Sequence, residues 1–293
     1  MSILIKELSK SYNSLVALHN INLSIKKGVF GLLGKNGAGK TTLMRILATL
    51  LEPSSGIVEI YDISLHKKNH NEIKSMIGYL PQEFGFYENL TVYEAMDYMG
   101  ILNKMNTSVR KERIDYMLSE VNLNKERQKK IRQLSGGMKR RLGIAQAMLH
   151  EPRILIIDEP TAGVDPEERI GIRNMLSNFA QDRTILLSTH IVEDIASTCQ
   201  ELAILDEGKQ VYCGSSTSLI SSARGHVWTC RLESQEQLMN LKQHHLVISQ
   251  NHLENGIEVR FVNIHQHELR GDYSEVTPSL EDAYMFMIKG GSK

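Results

Sequence analysis

The chain has 293 residues, 41% of them apolar and 23% charged, proportions that let a globular protein bury a sizeable core. Its 34 Lys and Arg balance 34 Asp and Glu, and zero formal charge argues against working by nonspecific attraction to nucleic-acid backbones or anionic lipid. The length predicts one large domain, or one domain with an appendage.

Cys199, Cys213 and Cys230 form an odd, widely spaced set without a CxxC pair, so neither a disulfide framework nor a zinc knuckle is indicated. The first residues lack the apolar stretch of a secretory signal, and no run approaches the roughly 18 apolar residues of a membrane span. The expectation is a cytoplasmic protein.

From the start to about residue 214, apolar runs alternate with segments of helical period. Strands are predicted over 3–8, 18–25 and 29–33, a helix over 43–51, a turn at Glu52-Pro53-Ser54-Ser55-Gly56 and a strand over 57–60. Residues 91–150 change to helical spacing rich in Lys, Arg, Glu and Met, which reads as a helical insertion in an α/β frame. Strands return at 154–157 and 184–188 with a helix between them, and 201–205 and 210–213 flank the hairpin turn Asp206-Glu207-Gly208-Lys209. A Ser-rich stretch at 215–222 reads as a boundary. Beyond it, 226–289 predicts a small α+β appendage, with a strand over 227–232, a helix over 235–244 and a strand pair around Glu254-Asn255-Gly256. There is no internal repeat.

Gly34-Lys35-Asn36-Gly37-Ala38-Gly39-Lys40-Thr41 fits the phosphate-loop pattern GxxxxGK[ST], with an apolar strand before it and a helix-period segment opening at Thr42. Such glycines turn backbone N–H groups inward around phosphates. The helix start adds positive potential, Lys40 reaches the β and γ phosphates, and Thr41 offers a hydroxyl to Mg²⁺. Ile154-Leu155-Ile156-Ile157-Asp158-Glu159 supplies a buried strand ending in two acids. Asp158 emerges where phosphate-loop proteins hold their metal. Glu159 can deprotonate a water attacking the γ-phosphate, a contribution of about 10²–10⁴-fold.

Between these segments lies Leu134-Ser135-Gly136-Gly137-Met138. Together the three resemble the motifs of ATP-binding-cassette ATPases, over residues 3 to about 214. The resemblance implies an α/β phosphate-loop cassette over 1–214, with a mixed sheet core, an antiparallel β subdomain and a helical subdomain at about 91–150. Residues 215–293 would form a C-terminal accessory or regulatory α+β domain. The family pairs head to tail, so Ser135, Gly136 and Gly137 of one copy would close over the γ-phosphate that Gly34, Asn36, Gly37, Ala38, Gly39, Lys40, Thr41 and Thr42 of the other hold. Tyr12 resembles the aromatic that stacks on adenine, where stacking is worth about 1–3 kcal/mol. Gln82 resembles the glutamine that touches Mg²⁺ and the lytic water and senses the membrane partner. Asp165, in Ala162-Gly163-Val164-Asp165, resembles the acid of the loop that meets the opposite cassette. His190 resembles the histidine on the γ-phosphate. Lys35 stands where Pro is common, Met138 where Gln is usual, and the loop before Asp165 departs from the commoner Ala-Leu-Asp; no departure removes a catalytic group.

The resemblance further implies ATP hydrolysis with Mg²⁺, coupled to transport through a separate transmembrane permease on the cytoplasmic side of the membrane, with no nucleic-acid partner. Residues 134–142 and the tail Pro278-Ser279-Leu280-Glu281-Asp282-Ala283-Tyr284 are most similar to ATPases of bacterial drug, antibiotic and peptide exporters. An importer subunit and a non-transport ATPase remain alternatives. Glu83-Phe84-Gly85-Phe86-Tyr87 reads either as the permease contact or as a small core cluster. The basic stretch 125–132 reads as a solvated loop rather than a lipid-binding patch, and His265-Gln266-His267 as a surface pair without a third metal ligand.

Overall fold

The computed structural model describes residues 1–254, 256–265, 269 and 272–290. It forms two compact units: Met1–Cys199 with Ala203–Gln210, and Gln200–Leu202 with the chain from Val211 onward.

In the first unit, β1 (Ile3–Tyr12) and β2 (Leu15–Ile25) pair antiparallel, with Ile3 opposite Ile25 and Tyr12 opposite Leu15. Then come β3 (Gly28–Leu33), α1 (Lys40–Leu47), β4 (Ser55–Ile60), β5 (Ile63–Ser64), α2 (His70–Met76) and β6 (Ile77–Leu80). Three helices follow, α3 (Val92–Leu102), α4 (Thr107–Glu120) and α5 (Gly136–Met148), in the segment predicted to be helical. The unit continues with β7 (Ile154–Asp158), α6 (Pro166–Phe179), β8 (Thr184–Thr189) and α7 (Val192–Thr198); the strands β9 (Glu201–Asp206) and β10 (Lys209–Ser215) each have residues in both units.

One sheet is antiparallel, in the order β2-β1-β4-β5; the other runs β10-β9-β3-β8-β7-β6. Within the second, β3, β8, β7 and β6 are mutually parallel. Every residue of β7 and β8 is buried, which explains their near-continuous apolar runs: helices cover parallel strands on both faces. The register sets Leu33 beside Thr189 and Asp158 beside Ser188. The loops after β3, β7 and β8 therefore leave the sheet at one carboxyl edge, where open α/β sheets bind ligands.

The helical segment is started by a reciprocal cap: Glu94 N–H donates to Thr91 Oγ1 at 3.1 Å, and Thr91 N–H to Glu94 Oε2 at 2.7 Å. Two of the cations in 125–132 are paired locally. Arg127 pairs with Asp115 at 2.9 Å and lies over the Tyr93 ring, while Lys129 pairs with Glu126 at 2.6 Å. The short strand β6 carries no sequence signal of its own. It is four residues long, and a Cβ on its Gly78 would lie 2.0 Å from the Ala147 carbonyl, so close packing rather than strand propensity fixes that residue.

The second unit contains α8 (Ser216–Ser222), β11 (Val227–Leu232), α9 (Gln235–His244), β12 (Leu246–Leu253), β13 (Gly256–Val262), β14 (Tyr273–Glu275) and α10 (Leu280–Gly290). Its antiparallel sheet has the order β12-β13-β11-β14. Leu232, Leu238, Leu241, Ile257, Val259 and Phe261 build its core between α9 and the sheet. Asp282, fully buried, takes a forked contact from Arg260, whose Nε lies 3.0 Å from Oδ1 and whose Nη2 lies 2.6 Å from Oδ2. Ser279 adds an N–H and a hydroxyl to Oδ2. Burial pushes the Asp282 carboxyl up, but these donors outweigh it and hold its pKa below 3.8.

Gln266 and His267 lie outside the described residues. Among the described residues no cluster of three His, Cys, Asp or Glu could hold a metal, and no helix is long and apolar enough to cross a membrane. The three cysteines are free, with Cys199 and Cys230 buried and Cys213 exposed.

Candidate active site

The loop between β3 and α1 has a shape only glycine permits. A Cβ on Gly34 would lie 2.3 Å from the Leu205 carbonyl oxygen, and one on Gly39 2.7 Å from that of Ala17. Gly39 also has a φ of 103° and serves as the N-cap of α1, in the left-handed region that glycine adopts without strain. The helix thus opens at Lys40, three residues before the predicted start, because the phosphate-loop glycines and not the apolar period set its first turn. The amides of that turn, Lys40, Thr41 and Thr42, have no acceptor four residues back within the helix. Amides and helix dipole together make an anion site.

Lys40 is buried, and its Nζ donates to the carbonyls of Gly34 at 2.6 Å and Lys35 at 3.1 Å. Burial lowers its pKa, while Glu159 and Asp158 pull it back up. Its Nζ stands 3.7 Å from Glu159 Oε1.

Asp158 ends β7 fully buried. Its Oδ2 accepts from the Thr41 hydroxyl at 2.8 Å, and its Oδ1 accepts from the Ser188 hydroxyl of β8. A hydroxyl and a carboxylate held side by side next to an anion loop are hard oxygen donors of the kind Mg²⁺ takes, so the residues present fit that ion. Sequence reasoning did not find Ser188; only the strand register, which sets it opposite Asp158, shows its role.

Glu159 is buried and adopts φ of 53°, a left-handed conformation that costs a non-glycine residue on the order of 1–3 kcal/mol. Its N–H donates to Ser188 O at 3.0 Å, and its Oε2 lies 2.7 Å from Nδ1 of the half-exposed His190.

These groups border a cleft of about 630 Å³, within the size range of small-molecule sites. Tyr12, Asn36, Gly37, Gly39, Lys40, Thr41, Thr42, Gln82 and Glu159 line it. Leu15, Val16 and Ala17 line it too, outside any motif of the sequence; Leu15 and Val16 are 66% and 51% exposed, an apolar face for a flat ring. Gly34 and Ala38 hold the loop behind the lining, and Asp158 and His190 join it through Thr41 and Glu159. Ser135, Gly136, Gly137 and Asp165 do not line the cleft. Ser135 caps α5, accepting from Met138 N–H at 3.1 Å, and Asp165 precedes α6; Ser135, Gly136 and Asp165 are exposed.

The aromatic stretch divides between its two readings. Phe84 packs edge-on to Phe86 at 5.6 Å and under the Arg140 guanidinium, whereas Tyr87 is exposed and meets Tyr98 at 5.7 Å.

Residues 18–162 match the family model described as ABC transporter. Over 215 residues the chain is 40% identical to the bacitracin transport ATP-binding protein BcrA of Bacillus licheniformis, covering 71% of this chain and 69% of that one. It is 33% identical over 222 residues to the linearmycin resistance ATP-binding protein LnrL of Bacillus subtilis, covering 75% and 71%. Among solved structures, the dimeric ATP-binding cassette MJ0796 in a post-hydrolysis state with ADP and Pi matches with a TM-score of 0.67 at 26% identity, covering 73% of this chain and 98% of that one. With kinship of this extent and a phosphate loop, acid pair and cleft in place, the chain belongs to the ABC transporter ATP-binding proteins: it is a subunit that binds ATP with Mg²⁺ and hydrolyses it.

Proposed function

We propose that this ATPase powers export of a drug, antibiotic or peptide, working as a head-to-tail pair docked on a separate membrane permease from the cytoplasmic side. The observation that carries the pairing is that Lys40 and Glu159 line one cleft while Ser135, Gly136, Gly137 and Asp165 lie outside its lining. A second copy would bring its α5 start over the γ-phosphate, adding helix-terminal N–H groups and the Ser135 hydroxyl as donors. Relatives named for bacitracin transport and linearmycin resistance support an antibiotic cargo. Exposed Tyr87 and Tyr98 suit the permease contact, and residues 215–293 serve as the accessory domain.

In this reading Tyr12 stacks on adenine, and the loop amides with Lys40 hold the β and γ phosphates. Thr41, Asp158 and Gln82 would hold Mg²⁺, which would supply positive charge against the triphosphate. Glu159 accepts the proton of the attacking water at Oε1, the oxygen that His190 leaves free, once Lys40 has turned to the phosphates. His190 stays within reach of the γ-phosphate.

Light scattering of the Glu159→Gln chain with MgATP tests the pairing: the mass should double, and adding Ser135→Arg should abolish the doubling while ATP stays bound. A monomeric mass with ATP bound, or a dimer indifferent to Ser135→Arg, refutes it. Outward rather than inward ATP-driven movement of an antibiotic peptide, in vesicles holding the chain and its permease, tests the direction.

A further inference from the structure

The left-handed turn at Glu159 needs something to hold it. With φ of 53° at that residue, the carbonyls of Asp158, Glu159 and Pro160 converge on a single side chain, Arg140 of α5. Its Nη2 donates to the carbonyls of Asp158 and Glu159, and its Nε to Pro160 O at 3.1 Å. On its other arm, Nη1 donates to Gln82 O at 3.1 Å and Pro81 O at 3.4 Å. The guanidinium is buried, with its carbon 5.3 Å from the centre of the Phe84 ring. One turn further along α5, a Cβ on Gly143 would lie 2.7 Å from that ring, so the helix lies close against Phe84. Burial lowers the pKa of Arg140 to about 10, which leaves it charged at neutral pH. Five donors in a planar fork can serve carbonyls on two separate segments at once, a spread that a single ammonium or amide group does not reach.

We propose that Arg140 is a positioning residue: it locks the backbone of Glu159 and the carbonyl of Gln82 to α5, so that the placement of the helix carrying Ser135 sets the placement of the base. The proposal rests on the reading of Glu159 as general base. Without Arg140, the buried carbonyls lose their donors and the turn at Glu159 relaxes toward an ordinary conformation. Its carboxylate then swings from the cleft, and a displacement of about 1 Å costs on the order of 10²-fold in rate. The nucleotide-binding loop, which Arg140 does not touch, keeps its affinity. Arg141, the next residue, serves different acceptors, Val121 O at 3.0 Å and Glu168 at 3.2 Å.

The test uses the full chain carrying Arg140→Gln or Arg140→Lys, with ATP sites titrated by a fluorescent ATP analogue so that turnover is counted per intact site. For Arg140→Gln we expect kcat per site to fall about tenfold or more, with KM and ATP affinity within about threefold of wild type. Arg140→Lys should recover part of the loss, because one ammonium reaches one set of carbonyls and not both. A residue that merely supports folding would reduce the number of sites and leave kcat per site alone. Wild-type kcat per site, or a change in KM only, overturns the proposal; if Arg140→Gln does not fold, the same readout on Arg140→Lys decides. Glu159→Gln is run in parallel. Normal turnover there would remove the base reading and this proposal with it, whereas loss there with normal turnover in the Arg140 variants would overturn this proposal alone.

Discussion

Replacing Glu159 by Gln is the most direct probe of the site. The amide matches the carboxylate in shape and keeps a partner for His190 Nδ1, now 2.7 Å from Oε2. What it loses is basicity and a charge 3.7 Å from Lys40 Nζ. Loss of a general base lowers kcat by about 10²–10⁴-fold, or about 3–5 kcal/mol of barrier. Binding behaves differently. Lys40 and the loop amides are untouched, and one negative charge facing the triphosphate is gone, so ATP affinity should hold or rise. Single-turnover hydrolysis of radiolabelled ATP gives the rate, and equilibrium titration gives the affinity. A rate within about threefold of wild type would refute the base assignment; a matching collapse of affinity would show that the residue serves binding rather than chemistry.

Lys40→Ala should weaken ATP binding by about ten- to a hundredfold, since charge-assisted hydrogen bonds of about 1.5–3 kcal/mol each are lost; an unchanged dissociation constant would refute the phosphate-loop role. Asp282→Asn should destabilise the second unit by about 3 kcal/mol at neutral pH, because it breaks the forked contact with the buried carboxylate. The folded-state pKa of Asp282 lies below its unfolded value of 3.8. The stabilisation is therefore complete well above that pH and is lost as pH falls below it, through the lower folded value. Urea midpoints of the two proteins should converge as the pH approaches that window; a gap independent of pH would refute the ion-pair account.

Much of this was legible in the residues. The apolar runs at β7 and β8 announce buried parallel strands, and α9 and β11 fall on the residues their periods predict. The motifs supply Lys40, Thr41 and Glu159 of the cleft lining, and Asp158 behind Thr41. The hidden parts depend on distant segments coming together. Ser188 matters through strand register, Leu15 and Val16 through the rim they form beside the phosphate loop, and Arg140 through a turn 19 residues further along the chain. Local patterns carry no trace of such convergence. β6, α2, α8 and α10 are short or of mixed character and form because neighbours cover them.

The twisted backbone at Glu159 also bears on how such a protein ages in evolution. Gly or Asn would occupy that conformation with less strain, so robustness and turnover select in opposite directions at one position. A descendant freed from the need to burn nucleotide would gain by shedding this acid early, and its absence in an otherwise intact cassette would mark a degenerate site retained for clasping alone.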